Sequence, residues 1–263
     1  MREYPKIGLA LGAGAARGLA HLGVIRVLEK YQVPVDFIAG SSIGALVGCL
    51  YACGLSADFM IKFAGQLQSS SWIDLCMPRS GLISGKKVET MLKILTKDKD
   101  FADLAIPFAA VATDIERGER VVLCRGKVAA AVRASISIPV IFKPVRLEDR
   151  LLVDGGLTDR VPLSVVKEMG ADLIIAVDVN RFVTCQPVNN IFDVLLQTID
   201  IMEKNALSNS IFNTDVLIRP KVGHISPAHF HRVDELVEQG ELAAEAVMSK
   251  LGCLLRGKMQ PEG

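Results

Sequence analysis

The sequence has few aromatic residues, no excess of either charge and no long apolar run. Aromatic side chains make up 5% of its 263 residues, and 30 Lys and Arg residues are balanced by 29 Asp and Glu. This balance argues against nucleic acid as a partner and against a cationic anchor for anionic lipid. No stretch reaches about 18 uninterrupted apolar residues, so the sequence predicts no membrane span, while transient contact with a membrane surface stays compatible with it.

Cysteine is present, but it forms none of the patterns typical of a disulfide framework or a zinc site. The six cysteines stand at positions 49, 53, 76, 124, 185 and 253, and no two of them form a C-x-x-C pair. Half of the residues are hydrophobic, so a chain of this length can bury a sizeable core without cross-links. We therefore expect reduced thiols in a cytoplasmic protein that is at most peripheral to the membrane.

Apolar segments of strand length alternate with segments of helical spacing. Buried strands are predicted at 6–11, 33–40, 107–113 and 173–179, a strand pair at 140–154, and helices near 19–31, 42–54, 191–210 and 230–251. This alternation indicates an α/β fold with a mostly parallel central sheet and helices on both faces.

The chain shows no linker and no internal repeat. We interpret residues 6–250 as a single domain and residues 251–263 as a polar C-terminal tail. Residues 58–105 are more polar and mostly helical, and we interpret them as an insertion that could act as a lid over the site. This insertion contains an apolar patch that serves either packing or contact with lipid, formed by Trp72, Ile73, Leu75, Met77 and Leu82.

The two closing helices carry apolar stripes. We expect both stripes to pack in the core, with a dimer contact as the alternative. Their residues are Ile191, Val194, Leu195, Ile199 and Met202 in the first helix, and Val233, Leu236 and Val237 in the second.

The most informative motif is Gly40-Ser41-Ser42-Ile43-Gly44, a G-x-S-x-G sequence between a predicted strand and a predicted helix. A serine at a sharp strand-to-helix turn has a strained backbone, and the flanking glycines remove Cβ clashes. The helix N-terminus favours negative charge that develops beside the serine. We predict that Ser42 is a nucleophile; an ordinary turn with an N-capping serine is the alternative.

A loop of small residues follows the first strand and opens a helix. It comprises Gly12, Ala13, Gly14, Ala15, Ala16, Arg17 and Gly18. Small side chains let backbone N–H groups approach a ligand, so the loop could hold either an oxyanion or a nucleotide phosphate. The dinucleotide fingerprint would require a third glycine where Arg17 stands, so we favour the oxyanion, and a plain close-packed turn that binds no ligand is a further alternative.

A serine nucleophile needs a base within hydrogen-bonding reach. Asp154 ends an apolar strand and is followed directly by Gly155 and Gly156, as in a catalytic carboxylate at a strand end, although an ordinary Asp-Gly turn is the alternative. Burial would raise its pKa and strengthen it as a base. The four histidines, His21, His224, His229 and His231, are expected to have structural or solvated roles.

The loop at 13–18, the motif at 40–44 and Asp154-Gly155-Gly156 resemble, in this order, the patatin-like phospholipases. They look most like the bacterial branch that is related to the catalytic domain of neuropathy target esterase. The run ASISIPVIFKPV at 134–145 and the segment VLIRPKVG fit the same branch, and the resemblance covers about residues 6–250.

This resemblance implies a three-layer α/β/α sandwich and a lipid acyl hydrolase that needs no cofactor. It implies that Ser42 attacks the ester carbonyl while Asp154 accepts its proton, in a dyad without histidine. The loop at 13–18 would supply the oxyanion hole, with Gly14 and Ala15 as the main donors. Arg17 would steady the loop or contact a lipid phosphate.

The chain departs from the family at two loop positions, where Ala13 and Ala15 replace the usual glycines. Alanine keeps its N–H, but it resists positive φ and adds a methyl group near the substrate. The two alanines support one alternative to a robust hydrolase, a weak or inactive lipid-binding regulatory protein. A nucleotide-binding α/β protein is a separate alternative. Asp114 and Asp178 follow strands, and we expect them to form structural hydrogen bonds rather than a metal site.

Overall fold

The protein is described from a computed structural model, which covers residues 5–67, 73–77, 80–180, 188, 191–206 and 214–257. The strands are β1 (Ile7–Leu11), β2 (Phe37–Ser41), β3 (Phe108–Asp114), β4 (Glu119–Leu123), β5 (Val145–Leu147), β6 (Arg150–Asp154), β7 (Leu173–Val177) and β8 (Val216–Ile218). The α-helices are α1 (Ala20–Lys30), α2 (Ile43–Ala52), α3 (Ala57–Gln66), α4 (Lys86–Leu95), α5 (Val128–Ser135), α6 (Leu163–Glu168), α7 (Ile191–Ala206) and α8 (Val233–Gly257). Short 3₁₀ helices span Ala15–Leu19, Phe101–Asp103 and Gly155–Leu157.

The strands form one mixed sheet in which hydrogen-bonded neighbours follow the order β5-β6-β3-β2-β1-β7-β8, and β4 also pairs with β3. Strands β3, β2, β1, β7 and β8 run parallel, whereas β4, β5 and β6 pair antiparallel. The predicted α/β fold with a mostly parallel sheet is therefore confirmed. Of the antiparallel strands, β4 and β6 pair with β3 and β5 pairs with β6, and all three come from the segment between the end of β3 and residue 154.

The two faces of the sheet carry side chains of different size. Alternation along β1 sends Ile7, Leu9 and Leu11 into the large core, which also contains apolar residues of α1, α2 and α8. The opposite face carries mainly alanines and small branched residues, and α6 packs on it. Small side chains allow a close approach of the covering helix, so the sheet is buried on both faces between two helical layers.

The strand register brings two distant chain segments end to end. Ser41 of β2 pairs with Val111 of β3, and Asp154 of β6 pairs with the next β3 residue, Ala112. Since β4 pairs with β3 over both of these positions, it must occupy the other edge of β3. The C-terminal ends of β2 and β6 therefore point at each other along one edge of β3.

One predicted boundary differs from the structure. Helix α8 continues to Gly257 and Leu251 is buried, so a polar tail that starts at 251 is wrong; the apolar stripe of the helix persists for two more turns.

Within 58–105, the described residues form α3, which packs on α1 and α8, and α4, which packs on α5. Trp72 and Cys185 lie outside the described residues, and the other five cysteines are free thiols.

In the described part of the chain, no helix combines the length and the apolar character that crossing a bilayer requires.

Candidate active site

Ser42 lies at the turn between β2 and α2, in a backbone conformation that few side chains adopt. Its φ is 54° and its ψ is −126°, a combination that costs on the order of 1–3 kcal/mol. The flanking glycines permit this turn, because a Cβ atom on Gly40 would lie 2.4 Å from the Gly44 carbonyl oxygen, and one on Gly44 would lie 2.2 Å from the Leu11 carbonyl oxygen. The turn holds the Ser42 hydroxyl at the C-terminal edge of the parallel strands, beside the N-terminus of α2.

The Asp154 carboxylate lies against the Ser42 hydroxyl. Ser42 Oγ donates a hydrogen bond to Asp154 Oδ2 at 2.5 Å, and the Gly156 N–H donates to Oδ1 at 2.8 Å. Gly155 allows the chain to turn against β3, since a Cβ atom there would lie 2.1 Å from the Val111 carbonyl oxygen. Burial raises the pKa of the Asp154 carboxyl to about 6, although the hydrogen bonds from Ser42 and Gly156 lower it. Such a carboxylate is a stronger base than an exposed aspartate.

The end of α5 supports both of these residues, a role that the sequence analysis did not assign. Ser135 Oγ accepts a hydrogen bond from the Ser42 N–H at 3.0 Å and donates one to the Val111 carbonyl oxygen at 2.6 Å. The Ser137 carbonyl oxygen accepts the Asp154 N–H at 3.0 Å. A serine near a helix end usually bonds its own backbone, so the sequence carries no signal for this distant contact.

We expect Ser135→Ala to lower kcat for an ester by about tenfold with little change in KM, because the Ser42 turn loses its hydrogen-bond acceptor. The variant should also lose roughly 1–2 kcal/mol of stability, since the Ser42 N–H and the Val111 carbonyl are left buried without that partner. Steady-state kinetics and urea denaturation measure the two effects.

Ser56→Ala is the matched control, because it removes the serine hydrogen bond at the start of α3, where Oγ accepts from the Phe59 N–H. It should cost about 1 kcal/mol of stability and leave kcat unchanged. Equal kcat values for both variants would show that Ser135 has no positioning role.

The loop after β1 leaves two backbone N–H groups available at the site. Four of its amides donate to carbonyl oxygens of the protein, namely those of Gly12, Ala13, Ala16 and Arg17. Among the described residues, the N–H groups of Gly14 and Ala15 have no hydrogen-bond acceptor, and both residues line the same cavity as Ser42 and Asp154. Two adjacent donors suit a single oxyanion, whereas a nucleotide pyrophosphate requires a longer row of amides.

The alanine substitutions affect the loop at one position. Ala15 has a φ of 47°, in the left-handed region that costs alanine about 1 kcal/mol, whereas Ala13 has no such φ. Gly18 is needed for close packing, because a Cβ atom there would lie 2.0 Å from the Ile43 side chain of α2. The loop therefore keeps both free donors, with backbone strain at Ala15.

Arg17 steadies this loop from inside the protein. Its side chain is fully buried, and Nε donates to the Ile225 carbonyl oxygen at 2.8 Å. Nη1 donates to Asn180 Oδ1 at 3.0 Å and to Asp200 Oδ2 at 2.7 Å. Burial leaves Arg17 no access to a lipid phosphate in this conformation, and its contact with Asp200 connects the loop to α7.

The four histidines have other partners. His21 is buried, and its Nε2 donates to the Gly12 carbonyl oxygen at 2.8 Å. Burial lowers the pKa of His21 to about 4, although the hydrogen bond to Gly12 raises it, so this imidazole is neutral at physiological pH. His224 Nε2 lies 2.8 Å from Glu235 Oε1, and the rings of His229 and His231 lie 5.2 Å apart.

The two other strand-end aspartates make structural contacts. Asp114 accepts hydrogen bonds from the Arg117 guanidinium and from the Glu116 N–H. Asp178 accepts from the Arg160 guanidinium and from the Asn180 N–H. No three His, Cys, Asp or Glu side chains of the described residues come together as a metal site.

A narrow cavity of about 30 Å³ adjoins Ser42 and Asp154. Its wall includes Leu196, Ile199 and Asp200 of α7, none of which the sequence analysis placed at the site, but no described residue of 58–105. The lid role of that segment stays a prediction. A cavity of this volume has room for about two or three water molecules, so a bound acyl chain requires part of the wall to move.

A family model described as patatin-like phospholipase matches residues 9–167. Two uncharacterized NTE family proteins of Mycobacterium tuberculosis are similar. One is 38% identical over 178 residues, which cover 67% of this chain and 49% of that protein. The other is 30% identical over 277 residues, which cover 95% of this chain and 48% of that protein. The lysophospholipase nte1 of Emericella nidulans is 37% identical over 180 residues, which cover 66% of this chain and 12% of that protein.

Two solved structures share the fold at low sequence identity. VipD from Legionella pneumophila matches with a TM-score of 0.58 at 13% identity, covering 95% of this chain and 67% of that one. The type III effector protein ExoU matches with a TM-score of 0.52 at 12% identity, covering 94% and 53%. The chain spans about half the length of the mycobacterial relatives and a smaller part of the fungal one.

Proposed function

The chain belongs to the patatin-like phospholipase family, and on that premise we propose that it is a serine acyl hydrolase that cleaves carboxylic ester bonds of lipids. The hydrogen bond of 2.5 Å between Ser42 Oγ and the buried Asp154 carboxylate is the observation that supports this proposal most directly. The lysophospholipase name of the fungal relative supports a lipid ester as substrate.

In the proposed acylation step, Ser42 Oγ attacks the ester carbonyl carbon and Asp154 accepts its proton. The carbonyl oxygen becomes an oxyanion that the N–H groups of Gly14 and Ala15 stabilise. When the tetrahedral intermediate collapses, the bond between the carbonyl carbon and the leaving alcohol breaks, and Asp154 returns the proton to that alcohol. The acyl group is then an ester of Ser42.

In the proposed deacylation step, a water molecule replaces the alcohol in the cavity. Asp154 accepts a proton from this water as the water oxygen attacks the acyl carbon, and the same two N–H groups hold the second oxyanion. Collapse of this intermediate releases the fatty acid, and the proton on Asp154 returns to Ser42 Oγ. The dyad is thereby restored without a cofactor.

A lipid-binding protein with weak or no activity is the second candidate function. The strained Ala15 in the oxyanion loop and the small cavity favour it. Such a protein would bind fatty acid and cleave no ester.

A fluorophosphonate probe separates the two candidates. We expect a covalent adduct on Ser42, located by peptide mass spectrometry, because only an activated serine attacks this phosphorus centre. Detergent micelles in a parallel reaction exclude an occluded site as the reason for a negative result. Fatty-acid binding without any adduct would select the regulatory function.

The pH dependence of the reaction follows from the raised pKa of Asp154. Only the ionised carboxylate can accept the Ser42 proton, so kcat/KM should fall about tenfold per pH unit below about pH 6 and level off above it. His21, with a pKa of about 4, does not titrate in this window. Hydrolysis of a soluble ester between about pH 5 and about pH 8 measures the profile. A flat profile would contradict the role of Asp154.

A further inference from the structure

The solvent face of α7 is mostly apolar, and Thr198 is the one exposed polar side chain among those that the structure describes on it. Ile191, Val194, Ile201 and Met202 are between 51% and 77% exposed. Their spacing of three, seven and one residues places them on one side of the helix. A helix that packs on a globular protein normally presents polar residues to solvent, so α7 departs from that pattern. The prediction that this stripe packs in the core is wrong for Ile191, Val194 and Met202.

The opposite face of α7 belongs to the candidate active site. Leu196 and Ile199 line the cavity that adjoins Ser42. Asp200 accepts hydrogen bonds from Arg17 and from Asn180 Nδ2, and so connects the helix to the loop that bears the free N–H groups. One helix therefore presents apolar side chains to solvent on one side and to the substrate cavity on the other.

A second segment of the cavity wall also ends in an exposed apolar side chain. Ile138 and Pro139 line the cavity, and the next residue, Val140, is 56% exposed. Val140 has a φ of 68°, which is unfavourable for a β-branched residue. Its carbonyl oxygen accepts the Leu82 N–H, which holds the turn with its apolar tip in solvent.

We propose that the outer face of α7, together with Val140, is a lipid-docking surface at the entrance of the active site. This surface is defined by Val140, Ile191, Val194, Ile201 and Met202. The inference rests on the proposed function, because a lipid substrate must pass from an aggregate into the cavity that these two segments enclose. Docking places the ester beside a wall that can open into apolar surroundings.

The charges of α7 identify the kind of lipid surface. The charged side chains that the structure describes on α7 are Asp193 and Asp200, so attraction to anionic lipid does not drive the contact. Burial of apolar side chains drives the contact, and a zwitterionic lipid surface is sufficient for it. A second protein copy is a poorer occupant, because it would cover the wall through which the substrate enters.

The test uses full-length Ser42→Ala protein, which cannot consume the lipid, and phosphatidylcholine vesicles in a sedimentation assay. We expect binding that is insensitive to salt between about 50 mM and about 500 mM NaCl, as for an apolar contact. Ile201→Asp and Met202→Asp in this background should each reduce partitioning by about tenfold. The matched control is Leu242→Asp on α8, a position that is 58% exposed and should leave partitioning unchanged.

Hydrolysis separates this inference from the proposed function. With an intact Ser42, Ile201→Asp should lower the ratio of vesicle to soluble-ester turnover by about tenfold. An absence of vesicle binding, or an equal loss in Leu242→Asp, would overturn the docking surface. The docking surface would also be overturned if the protein self-associated but did not bind vesicles, and if Ile201→Asp abolished that self-association. If soluble ester is not cleaved and Ser42 takes no probe, the hydrolase proposal fails, whereas vesicle binding that depends on Ile201 would leave the surface in place.

Discussion

Replacement of Ser42 by alanine is expected to lower kcat/KM for every ester by at least about 10⁴-fold, because the attacking oxygen is removed. Alanine meets nearly the same backbone strain as serine at a φ of 54°, so the fold should persist. The hydrogen bond to Asp154 is lost, and with it one of the contacts that lower the pKa of this carboxyl. The variant should therefore be folded, inactive and unlabelled by fluorophosphonate.

Ser41→Ala provides a control one residue away. Ser41 is also buried, but its Oγ donates to the Asp159 carbonyl oxygen at 2.6 Å and not to Asp154. Its replacement should cost about 1 kcal/mol of stability with little change in kcat/KM. Substantial ester cleavage by Ser42→Ala, or an equal loss in both variants, would mean that Ser42 is not the nucleophile.

Asp154→Asn is expected to abolish ester cleavage to a similar extent, about 10⁴-fold, and at the same time to stabilise the protein at alkaline pH. The amide cannot accept the Ser42 proton, so labelling by the probe should also disappear. The pKa of the Asp154 carboxyl is raised by burial to about 6, so its neutral form is the one that the fold favours. Its contribution to stability is present below its unfolded pKa, near 4, and is lost as the pH rises through about 6.

Ionisation of Asp154 at pH 8 thus costs the folded state about 3 kcal/mol. Asparagine is neutral at every pH and avoids this cost, while its carbonyl oxygen can still accept the Gly156 N–H. Urea denaturation at about pH 8 and about pH 4.5 should show a gain in stability at the higher pH that shrinks at the lower one. Near-normal turnover by Asp154→Asn would rule out the dyad, and an unchanged stability difference would rule out the raised pKa.

The sheet could be predicted well from the sequence because its central strands are buried on both faces. β1, β3 and β7 are short, mainly apolar runs bounded by turn residues. Runs of this length are typical of strands that are buried on both faces of a parallel sheet. Helix ends were harder to predict. The polarity of the C-terminal residues predicts a tail from 251, whereas α8 continues to Gly257 and Leu251 is still buried.

The apolar stripes show where periodicity stops being informative. Val233, Leu236 and Val237 of α8 are buried as expected, but Ile191, Val194 and Met202 of α7 face solvent. Both helices have the spacing of an amphipathic helix. Spacing determines which residues share a face, but only the tertiary structure determines what lies opposite that face.

The sequence by itself determined the local geometry of the site. A glycine on either side of Ser42 is required by backbone contacts closer than 2.5 Å, and Asp154 ends its strand where two glycines turn the chain. These constraints act over a few residues, so they are visible as motifs. The strand-end position made Asp154 a candidate base, and the family resemblance supported its pairing with Ser42 as a dyad.

Only the tertiary structure decided how those parts meet. The register of β3 sets β2 and β6 end to end and so places Ser42 Oγ within 2.5 Å of a carboxylate 112 residues away. The tertiary structure also determines the hydrogen bond of Ser135, the burial that raises the pKa of Asp154, and the cavity wall formed by α7. Each of these features depends on which distant groups pack together and exclude water. The spacing of residues along the sequence does not encode that packing.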